Sequence, residues 1–217
     1  DFVDLGRLGA IVTKTITLNP RQGNPAPRTC ETPAGMLNSI GLENPGIDKF
    51  ITEKLPLLKH IGVPIMVSIA SEADQKEFII LASKLDKIKS VTAIELNISC
   101  PNIRVHSSKF MVHSKTPRTE LIAQDPKATY NLVSAVRKIT KKPIITKLSP
   151  NVSDIVEIAQ AAEKGGSDAV SLVNTLTGMS IDIDTRKPKI AVVTGGLSGP
   201  AIRPVAVRMV WEAYQKI

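Results

Sequence analysis

The sequence predicts an α/β fold built on a parallel sheet, and three observations carry that prediction. Short apolar runs rich in Val and Ile alternate with longer stretches of helical period. The runs are nearly continuous in their apolar residues, as expected of strands covered on both faces. Each run ends in polar residues, which suits folds that place ligands at the C-terminal ends of their strands.

The strand candidates are residues 10–14 (AIVTK), 64–70 (PIMVSIA), 93–99 (AIELNIS), 143–149 (PIITKLS) and 169–174 (AVSLVN). Their polar residues toward the C-terminal end are Lys14, Ser68, Asn97, Lys147 and Asn174. Helices fit between them. Ser71 is the expected cap of a segment reaching about Lys87, with Phe78, Ile79, Ala82 and Leu85 on one face. Asp125-Pro126 reads as an N-cap followed by proline at the first helical position, opening a helix with Tyr130, Leu132, Val133, Val136 and Ile139. Ser153 is expected to start another, with Ile155, Val156, Ile158, Ala159 and Ala162, which stops at Gly165-Gly166. Residues 201–217 read as a last helix opened by Pro204. Such alternation fits either an open doubly wound sheet or a closed (β/α)8 barrel. A full barrel usually takes about 250 residues, so on the barrel reading the five strands counted here make an incomplete one, with no strand after the final helix.

Two segments break the alternation. Residues 17–44 are rich in Pro, Gly and Asn and are expected to be a long loop between strand and helix. Residues 103–124 are polar and aperiodic, as an inserted functional loop would be.

The chain has 217 residues, of which 42% are hydrophobic and 22% charged, the mix of one globular domain with its own core. No apolar run approaches the roughly 18 residues that span a bilayer. The start, DFVDLGRLGA, lacks the basic and apolar regions of a signal peptide. Two cysteines, Cys30 and Cys100, make no disulfide framework and point to a reduced, cytoplasmic protein. The net charge of +8 is scattered, and aromatic residues are only 3% of the chain, too few for base-stacking surfaces, so nucleic acid is not the expected partner. His60, His106 and His113 show no metal-ligand spacing.

The sharpest motif is Asn97-Ile98-Ser99-Cys100-Pro101-Asn102 at a strand end. Its asparagines offer paired donors and acceptors for a planar, amide-like ligand, and its thiol stands where it can reach one. Lys147, inside an apolar strand, must direct its ammonium at something anionic or polar, and Lys14 repeats that logic. Asn174-Thr175 puts another amide at a strand terminus. Thr194 to Pro200 (TGGLSGP) reads as a Gly-rich turn before a helix. It is neither a Walker A nor a Rossmann fingerprint.

These pieces, in this order, resemble the cytosolic class of dihydroorotate dehydrogenases. The resemblance rests on Lys14-Thr15, Gly23-Asn24-Pro25, the run 31–46 (ETPAGMLNSIGLENPG), Asn97 to Asn102, Lys147 to Asn151, Asn174-Thr175 and Thr194 to Pro200, and covers nearly the whole chain except 103–124. The run 31–46 is most similar to the NAD-linked subclass. The resemblance implies one FMN-binding (β/α)8 barrel domain over residues 1–217, lacking its first and last strands, with 103–124 as an inserted active-site loop. It implies oxidation of dihydroorotate to orotate in pyrimidine biosynthesis, with Cys100 as the base at C5 and hydride transfer from C6 to flavin N5. A thiol with an ordinary pKa near 8.5 must be tuned downward for that role. Lys14, Thr15, Ser68, Asn97, Lys147, Val173 and Gly199 would line the flavin. Lys147 would stabilise negative charge at its N1/O2 edge. Lys14, Asn38, Asn97, Asn102 and Asn174 would hold the substrate, completed by Ser39, Ile40, Gly41, Leu42 and Thr175. Ser68 and Ser71 stand where the family usually has Asn and Gly. The family's Gly-rich phosphate loops would follow Ile217. A homodimer, and a partner subunit carrying FAD and an iron–sulfur cluster, are implied for the NAD-linked subclass. Two other readings are a related FMN barrel acting on a pyrimidine in RNA, similar to dihydrouridine synthases, and a non-catalytic fragment.

Overall fold

A computed structural model of the chain describes residues 4–71, 74–99, 104–105 and 120–217, with backbone only at 104, 105, 120 and 121. Cys100, Asn102 and most of the 103–124 segment lie outside the described residues.

The chain opens with β1 (Ile11–Val12), β2 (Thr29–Thr32) and β3 (Gly35–Asn38). A helical stretch follows, α1 (Ile47–Lys49) and α2 (Leu55–Lys59), joined by a π-helical turn over Phe50–Lys54. Next come β4 (Ile65–Ile69), α3 (Gln75–Asp86), β5 (Val91–Asn97), the short β6 (Arg104–Val105) and β7 (Glu120–Leu121), and α4 (Pro126–Arg137). The remainder is β8 (Ile144–Lys147), α5 (Ile155–Lys164), β9 (Ala169–Ser171), β10 (Leu176–Met179), β11 (Ile181–Asp182), β12 (Lys187–Pro188), β13 (Thr194–Ser198) and α6 (Arg203–Tyr214).

All five expected strands form and pair parallel in the order β1-β4-β5-β8-β9. The first is shorter than its apolar run, although Ile16 continues its edge by bridging to Ile69. Order in space follows order in the chain without reversal. A doubly wound sheet reverses at a switch point, so the arrangement is that of part of a (β/α)8 barrel. Helices α3 to α6 pack side by side in the same order.

Parallel register decides which residues share a face, because side chains alternate along a strand. One face carries Val67, Ile69, Ile94, Leu96 and Ile144, which meet Phe78, Leu81 and Leu85 of α3, Leu132, Val133 and Val136 of α4, and Ile155, Ile158 and Ala162 of α5 in one core cluster. Burying each large apolar side chain there contributes about 1.5–3 kcal/mol. The opposite face carries the polar residues Ser68, Glu95, Asn97, Lys147 and Ser171.

Three helices start on aspartates. Asp74 accepts from Lys76 N (2.8 Å), Asp125 from Lys127 N (2.8 Å) and Ala128 N (3.2 Å), and Asp154 from Val156 N (2.7 Å). Asp125 is the cap expected from sequence. Ser71 and Ser153 are not. The hydroxyl of Ser71 instead lies 2.6 Å from Asp74 O and 2.8 Å from Glu77 Oε2, tying the preceding turn to α3. At both sites an aspartate one to three residues further on fills the capping position, and its side chain reaches the second helical N–H.

The stretch 17–44 is not one long loop. Its β2 and β3 form a hairpin that joins β13 and β10 in a four-stranded antiparallel sheet, order β10-β13-β3-β2. The Gly-rich 194–200 segment is accordingly a strand for most of its length, not a turn. Glycines masked its strand character, since they carry no side chain to reveal a period. At the 103–124 segment, β6 and β7 pair antiparallel, so its two ends lie side by side.

Candidate active site

The C-terminal ends of the parallel strands carry a belt of hydrogen-bonded polar side chains. Thr15 Oγ1 and Ser68 Oγ are 3.0 Å apart. Asn97 Nδ2 donates to Thr15 Oγ1 at 2.9 Å. Ser99 Oγ donates to Asn97 Oδ1 at 2.7 Å, and Asn174 Nδ2 donates to Ser99 Oγ at 2.7 Å. Asn174 Oδ1 accepts from Thr175 N at 2.8 Å. The belt therefore crosses from the end of β1, over β4 and β5, to the turn after β9. Thr15, Ser68, Asn97 and Ser99 are buried, where an unpaired polar group costs about 1–3 kcal/mol, so their mutual bonds contribute to stability.

Lys147 joins the belt through register: its Cα partner on one side is Asn97 and on the other Ser171. Its side chain is half-buried on the same face as Asn97. Lys14 immediately precedes Thr15 and is exposed. Val173 is half-buried, packs on the core and follows a cis peptide bond from Leu172.

A second group of residues arrives on the antiparallel sheet. Asn38 ends β3 opposite Gly196 of β13, and its Nδ2 donates to Gly196 O at 3.4 Å. Gly196 in turn lies against Thr175: a Cβ built there would sit 2.0 Å from Thr175 Oγ1. Only glycine lets β13 approach the belt so closely, and that contact brings Asn38 to Asn174-Thr175.

After Asn38 the backbone turns through Gly41 (φ +79°) and Leu42 (φ +56°), both left-handed. The outer side of this turn is braced. Asn24 Nδ2 donates to Ser39 O (2.9 Å), Asn24 N to Ile40 O (3.0 Å) and Arg21 Nε to Gly41 O (3.1 Å), while Ser39 N donates to Arg28 O (2.7 Å). Among the described residues, the N–H groups of Ile40, Gly41 and Leu42 meet no acceptor. Consecutive N–H donors of this kind suit a carboxylate.

Gly199 (φ +107°) ends β13 against Gly35, and no described contact joins it to the belt. Cys100 directly follows Ser99 in the chain and, with Asn102, lies outside the described residues. Sequence reasoning assigned no role to Ser99 or Asn151. Asn151 ties the turn after β8 to the turn after β9: its Nδ2 donates to Thr175 O (3.0 Å) and its Oδ1 accepts from Thr177 N (2.9 Å). Both residues stood in the quoted motifs, but the bonds from Ser99 to Asn174 and from Asn151 to Thr175 and Thr177 span 75, 24 and 26 residues, too far for spacing to show them.

The donor set suits a flat heterocycle with carbonyl and imide edges: amides on two sides, an ammonium beside one of them, and backbone N–H groups at one end. A flavin ring and a pyrimidine both have such edges, and the chemistry of the donors fits both.

The chain matches the family model described as dihydroorotate dehydrogenase over residues 1–217. It is 50% identical over 217 residues to the protein named "Dihydroorotate dehydrogenase B (NAD(+)), catalytic subunit" of Geotalea uraniireducens, covering 100% of this chain and 67% of that one. Proteins of the same name from Pelobacter propionicus and Thermoanaerobacter pseudethanolicus are each 49% identical over 217 residues, with the same coverage. The chain thus spans about two thirds of the length of these relatives. Among the described residues, no helix is long and apolar enough to cross a membrane.

Proposed function

Because the chain belongs to the dihydroorotate dehydrogenase family, we propose that it forms the substrate-binding part of an enzyme that oxidises dihydroorotate to orotate in pyrimidine biosynthesis. The observation that carries this reading is the belt from Thr15 through Asn97 and Ser99 to Asn174, set at the C-terminal ends of parallel strands.

The residues have separable tasks. The N–H groups of Ile40, Gly41 and Leu42 receive the substrate carboxylate, with the Lys14 ammonium as its counter-charge. The amides of Asn38, Asn97, Asn102 and Asn174 hold the ring carbonyls and imide, with Thr175 alongside. Cys100, as thiolate, accepts the proton lost from C5 while a hydride leaves C6, so that two electrons and two hydrogens depart and the ring gains a double bond. FMN supplies the hydride acceptor when bound. Thr15, Ser68, Asn97, Lys147, Val173 and Gly199 are the residues that would hold its ring, and the Lys147 ammonium offsets negative charge at the ring edge.

The relatives' names pair a catalytic subunit with NAD, and by that analogy electrons leave this chain through a partner subunit carrying FAD and an iron–sulfur cluster. The chain would act in the cytoplasm, with a second copy as its homodimer partner.

Rapid mixing of the full-length, FMN-loaded protein with dihydroorotate tests the proposal. The flavin absorbance should bleach in a single turnover, and Cys100→Ser should slow that phase by about 100-fold or more while FMN stays bound. No bleaching in the unmodified enzyme removes the function. An unchanged rate in Cys100→Ser removes the base.

A further inference from the structure

The hydrogen bonds through Ser99 run in one direction, and a backbone group sets that direction. The N–H of Thr175 can only donate, and it donates to Asn174 Oδ1 at 2.8 Å. The Asn174 amide is thereby turned so that its nitrogen faces Ser99, whose Oγ accepts from Nδ2 at 2.7 Å. The single hydroxyl hydrogen of Ser99 is then left for Asn97 Oδ1, 2.7 Å away. Asn97 in turn presents its nitrogen to Thr15 Oγ1 at 2.9 Å. Reversing the Asn174 amide would set its nitrogen against the Thr175 N–H, and reversing the Asn97 amide would leave the Ser99 hydroxyl hydrogen without its acceptor.

We propose that Ser99 is a positioning residue for the reaction: its hydroxyl, oriented by Asn174, locks the Asn97 amide so that its nitrogen keeps an N–H for the bound pyrimidine. This rests on the function proposed above. An asparagine amide is nearly symmetric in shape, so packing alone does not choose between its two orientations. Ser99 is 4% exposed, so bulk water does not stand in for its hydroxyl. Without that hydroxyl, Asn97 Oδ1 loses its donor, and Thr15, which can donate or accept, does not decide which way the amide faces, whereas Asn174 stays held by Thr175 N (2.8 Å) and by the carbonyl of Ser99 (3.4 Å). A flipped amide would direct its carbonyl at the ring carbonyls or carboxylate of the ligand, where attraction turns to repulsion. Losing one well-formed bond to such a ligand corresponds to about a tenfold loss of affinity.

The test uses the full-length, FMN-loaded protein and orotate. Affinity is read from the change in flavin absorption as orotate is added and, independently, by calorimetry. Flavin content and thermal unfolding are measured alongside. Ser99→Ala should weaken orotate about tenfold with flavin content unchanged. Ser99→Thr and Ser99→Val have the same bulk and differ by the hydroxyl. Thr should stay within about threefold of the native enzyme, and Val should fall with Ala. Native affinity in Ser99→Ala, or equal loss in Thr and Val, overturns the proposal. If both larger residues prevent flavin binding, a cycle of Ser99→Ala with Asn174→Ala decides. The relay requires a double variant no weaker than the weaker single one, and strictly additive losses overturn it. Bleaching of the native enzyme by dihydroorotate separates the two readings. Its failure removes the functional assignment, whereas normal bleaching with an unaltered Ser99→Ala variant removes the relay alone.

Discussion

Asn97 and Lys147 are register partners at the ends of adjacent parallel strands, so an amide and an ammonium project from the same face of the sheet. A planar ligand that meets one meets the other. Lys147→Ala should therefore lower the FMN-to-protein ratio after gel filtration and slow flavin bleaching by dihydroorotate. Full flavin content together with normal bleaching would remove Lys147 from the site.

Asn97→Ala should damage stability and binding together. It deletes the donor to Thr15 and the acceptor for Ser99, leaving two buried hydroxyls short of a partner. The expected cost is about 1–3 kcal/mol in chemical denaturation, with orotate affinity falling in parallel. A variant that loses orotate binding but keeps full stability would contradict the structural half of this account.

Gly196→Ala isolates the contact between the two sheets. The added methyl would meet Thr175 Oγ1 at 2.0 Å and Thr175 Cβ at 2.7 Å. Overpacking of this kind costs about 1–3 kcal/mol, visible as a lowered Tm. Gly9→Ala is the matched control, because nothing lies within 4 Å of a Cβ there, and it should change stability by no more than about 0.5 kcal/mol.

Asp125→Ala removes a side chain that accepts from two backbone N–H groups at the start of α4. A loss of about 1 kcal/mol is expected in urea denaturation. Asp125→Asn, which keeps an acceptor oxygen, should recover most of it.

The acid response of the β11–β12 hairpin should follow Asp182. The backbone N–H and the hydroxyl of Thr185 donate to its carboxylate and hold its pKa below the ordinary 3.8. A depressed carboxylate contributes stability that is present above its unfolded pKa and is lost as pH falls through the folded one. Amide chemical shifts of Thr185 should therefore report a carboxylate that titrates at lower pH than an ordinary aspartate. Asp182→Asn should abolish that titration.

How much of this was legible beforehand depends on where each residue's partner lies. Apolar runs of period one to two, broken by capping residues and glycines, determined five parallel strands and the helices between them. Strand-end polar residues pointed to Asn97, Lys147 and Asn174 as candidates for a site, and long motifs in order determined the family. What only the tertiary structure decided is which polar groups meet. The path from Thr15 to Asn97, and from Ser99 to Asn174, joins segments 82 and 75 residues apart, and no local spacing encodes such a bond. The antiparallel sheet was hidden for the same reason. Its strands β3 and β13 are held together by pairing across more than half the chain, while their glycines and alternating polar residues read locally as loop. Periodicity reports the face a segment buries, and only the fold reports what that face touches.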